Sequence, residues 1–142
     1  MSKKLKTIIA AAAVVAVPLM GAPAAMAAGI GIKSGVTSCP NDGNPGGGQR
    51  CTTIGNGVLS VRGKGSGNFY TVNYYRKSGG SLTARNGVER GGVNTWAPYV
   101  NMSTTPFHYQ DDFSLSTNCS SVTGKLNTSS GDTYPTPPLP AC

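Results

Sequence analysis

The sequence predicts an all-β protein: a small, disulfide-stabilised antiparallel β-sandwich with an extended N-terminal arm. Three observations predict it. Beyond the N-terminal leader, no long window carries apolar residues at the 3.6-residue period of a helix. Short runs that alternate apolar and polar residues recur instead, separated by Gly-, Asn- and Ser-rich turns at the spacing of a sandwich or barrel. The four cysteines are an even set in a small chain, which reads as two disulfides rather than a metal site.

Residues 1–27 are read as a signal peptide. Lys3, Lys4 and Lys6 form a basic start, Ile8 to Met20 is apolar, and Ala25-Met26-Ala27 is a small-x-small cleavage site. Pro18, Gly21 and Pro23 interrupt the apolar stretch, so secretion is expected rather than a membrane anchor. Cleavage removes three of the twelve basic residues behind a formal charge of +7. The remaining charge forms no basic stripe, which argues against nucleic acid as a partner.

Residues 28–56 are read as a flexible arm followed by a disulfide-closed Gly-rich loop. Ile30, Ile32 and Val36 lie among glycines in the arm and are candidate partner-binding side chains, because an extended apolar segment can add to a sheet edge or fill a groove. Cys39 to Cys51, CPNDGNPGGGQRC, holds too much Gly and Pro for regular structure. Its Gly46-Gly47-Gly48 run lacks the Gly-Lys-Ser/Thr ending of a phosphate loop.

Residues 57–142 are read as the β domain with a Pro-rich tail. Gly57–Arg62 is a strand with Leu59 and Val61 on one face. Phe69–Arg76 is a strand with Tyr70, Val72 and Tyr74 on one face and Thr71, Asn73 and Tyr75 on the other. Arg76 to Gly80 breaks that run and Ser81 to Arg85 resumes it, which predicts a hairpin. Asn86-Gly87 and Gly91-Gly92 read as turns. Thr95–Met102 is a strand in which Pro98 favours an edge or a bulge. Pro106–Leu115 and Val122–Thr128 complete the set, the latter with Val122, Gly124, Leu126 and Thr128 on one face. The tail from Thr133 is extended, and Cys142 pins it back.

Four cysteines allow three pairings. Pairing near neighbours, Cys39 with Cys51 and Cys119 with Cys142, braces the Gly-rich loop and pins the proline tail, two segments without apolar anchors. Large aliphatic residues are scarce, so each bridge should contribute about 3 kcal/mol.

An enzyme is not expected. His108 is the only imidazole, and the mature carboxylates are Asp42, Glu89, Asp111, Asp112 and Asp132. Adjacent Asp111 and Asp112 in a strand point to opposite faces, and Gly65-Ser66-Gly67 lacks the frame of a nucleophile elbow. No catalytic residue, metal or cofactor is assigned. Tyr70, Tyr74 and Trp96 are read as core. Tyr75, Arg76, Arg85 and Tyr99 are the candidate partner-binding surface, since Tyr and Arg anchor protein interfaces.

The run TVNYYRKSGGSLTARNG, the later Thr95-Trp96, and Thr123-Gly124-Lys125-Leu126 before a tail ending in Cys142 resemble a group of small secreted actinomycete proteins. More distantly, Tyr74-Tyr75, the Lys-Ser turn and Trp96 are similar to the lactococcin 972 type of bacteriocin, a small secreted β-sandwich. The resemblance covers about Gly57 to Cys142. It implies a non-enzymatic adaptor of the kind that joins a lectin-bearing subunit to a repeat-containing toxin subunit in umbrella toxin particles. The partners so implied are other secreted proteins of an antibacterial toxin complex, with no stable membrane association after signal cleavage. Two other readings stand beside it: a freely acting bacteriocin-like protein, and a secreted protease inhibitor using the Cys39–Cys51 loop as bait.

Overall fold

A computed structural model of the chain describes residues 39–65 and 68–142. The leader, and the arm with Ile30, Ile32 and Val36, lie outside the described residues. The described residues form nine strands and no helix. β1 (Gln49–Ile54), β2 (Gly57–Gly63), β3 (Phe69–Arg76) and β7 (Phe107–Ser114) make one antiparallel sheet, in the order β1-β2-β3-β7. β4 (Thr83–Arg90), β5 (Val93–Trp96), β8 (Val122–Thr128) and β9 (Thr133–Pro135) make the second, in the order β5-β4-β8-β9. Short β6 (Val100–Asn101) pairs with the start of β4.

The alternation read from the sequence sets which side chains meet between the sheets. Leu59 and Val61 of β2 lie opposite Tyr74 and Val72 of β3, and Tyr70 lies opposite Phe113 of β7. Across the core stand Ala84 and Val88 of β4 and Val122 and Leu126 of β8, with Ile54, Met102 and Leu139 closing the ends. Gly124 lets the sheets approach: a Cβ there would lie 2.8 Å from Val61 Cβ and 3.3 Å from Thr136 Cγ2. The buried Tyr74 hydroxyl donates to Asn56 Oδ1 at 2.8 Å, and burial pushes its pKa up to about 12.

Several expectations change on the structure. β1 starts at Gln49, so the sandwich begins before the boundary at Gly57. β3 and β4 are not a hairpin. Residues 77–82 carry the chain from one sheet to the other, and β3 instead pairs with β2 and β7. The same glycines that would suit a hairpin loop suit this crossing.

Asn86-Gly87 is not a turn but the middle of β4. Gly91-Gly92 is one: both residues have positive φ, 57° and 81°, and they form the two-residue turn between β4 and β5. Thr95–Met102 divides at Pro98 into the ends of β5 and β6.

The two disulfides join Cys39 to Cys51 and Cys119 to Cys142. The first lays the Gly-rich loop against β2: a Cβ on Gly43 would strike Val58 Cγ1 at 2.5 Å. The second holds the tail where Leu139 and Val122 exchange backbone bonds of 2.7 and 2.8 Å. Both bridges fit an oxidising compartment. No helix among the described residues is long and apolar enough to cross a membrane.

Candidate functional site

The outward face of the second sheet carries a cluster of aromatic and charged side chains. In the register of β4 with β5, Trp96 stands opposite Gly87. The indole occupies the space a side chain at Gly87 would need: a Cβ there would lie 2.1 Å from Cε3 and 2.5 Å from Cζ3. Trp96 is therefore not the core residue that the sequence predicts, and it is only half-buried. It covers the outer face of β4. Glycine in mid-strand, a weakness in itself, is what makes room for it.

Arg85 sits two residues before Gly87, on the same outer face. Its guanidinium carbon lies 4.7 Å from the Trp96 ring centroid and 4.3 Å from that of Tyr99. Each such contact contributes about 0.5–2 kcal/mol, more as water is excluded. Arg85 Nε donates to Asn127 Oδ1 at 3.1 Å, and the Tyr99 hydroxyl donates to the same oxygen. Asn127, opposite Arg85 on β8, is held in turn by Nδ2 donating to Thr133 Oγ1 at 3.0 Å. Among the described residues no carboxylate pairs with Arg85. The result is a cation fixed between two rings, flanked by exposed Tyr99 and Val100.

Beside it, Lys125 Nζ bonds Glu89 and donates to Asn94 Oδ1 at 2.7 Å, so that the neighbouring charges cancel locally.

Of the four candidate surface residues in the β domain, the structure brings together only Arg85 and Tyr99. Tyr75 lies on the outward face of the other sheet, where its ring stacks on His108 at 4.2 Å between centroids and 9° between planes. Arg76 is no surface residue. It is 2% exposed, and its guanidinium donates to the carbonyls of Ser78, Gly80 and Met102. The end of β3 faces inward at that position, following the parity of Tyr70, Val72 and Tyr74, which the sequence already showed. Trp96 and Asn127 complete the site and were missed as members. The Asn86-Gly87 pair inside an alternating run was the available signal for Trp96.

The titratable residues weighed for catalysis are scattered by the register of β3 with β7. His108 Nε2 lies 2.8 Å from Asn73 Oδ1, and burial, then the charge of Arg62, lowers its pKa below the usual value. Asp112 points outward and accepts from Lys64 Nζ and Thr71 Oγ1, both at 2.7 Å; these bonds lower its pKa. Asp111 points inward and accepts from Asn86 Nδ2 at 2.9 Å, and burial raises its pKa. The two aspartates face opposite sides of one strand.

No protein-family model matches the chain, and neither a curated protein nor a solved structure shows significant similarity to it.

Proposed function

We propose that this chain is a secreted, non-enzymatic protein-binding module, and that the Trp96–Arg85–Tyr99 face is a docking surface for another secreted protein. One observation carries the reading: an arginine without a carboxylate partner among the described residues is immobilised between two aromatic rings on an exposed sheet face. Trp, Tyr and Arg are the residue types that dominate interface energetics. Their ordering before a partner arrives lowers the entropy lost on binding. The resemblance of the β3–β4 region to adaptor subunits of toxin particles supports the same reading and gives it a setting in antagonism between bacteria. The leader read at residues 1–27 and the two disulfides support export.

The test is pull-down from culture supernatant with the disulfide-intact protein and its Arg85→Ala variant. Loss of a central interface anchor of this kind costs about 2 kcal/mol or more, roughly a thirtyfold fall in affinity. Capture should fail while the circular dichroism spectrum stays unchanged. Recovery of the same partners by a folded Arg85→Ala protein would remove this face from the function.

A further inference from the structure

β7 is the last strand of its sheet, and its far side pairs with no strand among the described residues. The Leu115 N–H donates to Asn68 O at 2.9 Å, which extends the β3–β7 register by one bonded pair beyond Phe69 and Ser114. Antiparallel ladders alternate bonded and non-bonded pairs. Phe107, Tyr109, Asp111 and Phe113 therefore bond toward β3. His108, Gln110, Asp112 and Ser114 turn their N–H and C=O groups away from it, along an open edge of eight residues.

The seam between the sheets opens at the Ser114 end of this edge. A cleft of about 370 Å3 lies at one end, lined by Arg90, Val93, Thr95, Ser114, Leu115 and Asn118. Val93 is 69% exposed at this end, and Phe107 is 51% exposed at the other end of β7. Between them is a polar centre. Asn86 is fully buried, at 0% exposed, and its Nδ2 is bonded to Asp111. Among the described residues nothing donates to the Oδ1 of the same amide. A buried acceptor left in that state is costly. Asp112 has Lys64 as its cation, whereas Asp111 pairs with none among the described residues.

We propose that β7 accepts an extended segment of another protein, added antiparallel to its free edge, with a Lys or Arg side chain reaching Asp111 and Asn86 Oδ1. An apolar side chain four residues earlier in that segment enters the cleft beside Leu115. The strand supplies backbone bonds at His108, Gln110, Asp112 and Ser114, and side-chain parity sets the spacing. A guanidinium serves both acceptors, since its donors are arranged as a fork. The inference rests on the protein-binding reading but uses a different surface from Arg85, so the two fail separately.

The experiment titrates the peptide Thr-Val-Thr-Val-Thr-Arg-Thr into the isotopically labelled, disulfide-intact protein and follows amide chemical shifts. The expected result is saturable binding, with changes centred on Gln110, Asp112, Ser114 and the Asn86 side chain. Asp111→Asn, nearly isosteric, should weaken binding by about tenfold or more, the scale of one charged hydrogen bond. Gln110→Pro removes an outward N–H on an edge strand, where proline is tolerated, and should abolish binding. Arg85→Ala should leave it unchanged. The proposal is overturned by no saturable binding, by shift changes centred away from β7, or by equal binding of the peptide with Glu in place of Arg.

Discussion

Arg76 closes the end of β3 by turning its guanidinium inward onto three backbone carbonyls, those of Ser78, Gly80 and Met102. Two belong to the crossing between the sheets and one to the chain after β6, so a single side chain ties together segments distant in sequence. Backbone groups buried without partners cost about 1–3 kcal/mol each. Arg76→Leu keeps an apolar stem and strips the donors from all three. Met102 is buried whereas Ser78 and Gly80 are exposed, so the full penalty falls on one carbonyl and unfolding stability should drop by about 1–3 kcal/mol. A denaturant titration reads this as a lower midpoint at an unchanged slope. A change within about 0.5 kcal/mol would mean that water serves those carbonyls equally well. The role was half legible in the sequence. The alternation that buries Tyr70, Val72 and Tyr74 also buries position 76, but arginine is so often a surface residue that composition points the other way.

At the scale of strands, faces were legible and partners were not. Period-two alternation assigns Leu59 and Val61, or Val122, Gly124, Leu126 and Thr128, to one side of a strand. It says nothing about which sheet the strand joins. The hairpin expected between Phe69–Arg76 and Ser81–Arg85 is a crossing because β7 takes the edge of β3, and β7 is distant in sequence. The same limit hid the candidate site: Arg85 and Tyr99 are recognisable by type, but Asn127 joins them only through the β4–β8 register. The cysteine pairing was legible because the two segments that most needed an anchor each had a cysteine at either end. The tail illustrates the energetics. β9 is three residues long, and beyond it the chain is held by the Thr136–Gly124 bonds, the Leu139–Val122 bridge and the Cys119–Cys142 disulfide. Replacing Cys119 and Cys142 together by Ser should cost about 3 kcal/mol. Hydrogen exchange should show the loss first at Leu139 and Thr136, whose amides bond Val122 O and Gly124 O. Uniform loss of protection across both sheets would contradict this local role.

For the molecule as a whole, the titrating groups of β7 give stability a pH profile with a definite order. The His108 pKa is lowered in the folded state, so below its ordinary value of 6.5 the unfolded chain binds the proton more readily and stability falls. The Asp111 pKa is raised, so its burial penalty is relieved as pH falls through the raised value toward 3.8. The Asp112 pKa is lowered, so its contribution, present above 3.8, is lost as pH falls through the lowered value. Melting temperature should therefore decline from pH 7.5 to 5.5, and His108→Gln should flatten that limb while Asp111→Asn leaves it in place. An unchanged slope in the His108→Gln protein would assign the limb to another group.

The topology has a further consequence, in time rather than in space. The first sheet lacks its edge until β7 arrives, and β4 lacks its main partner until β8 does. A chain emerging from its N-terminus thus cannot finish either layer before its last third is made, because pairings of such separation must wait for the distant strand. Until then neither layer is complete, and the sandwich closes only once β7 and β8 have both been made.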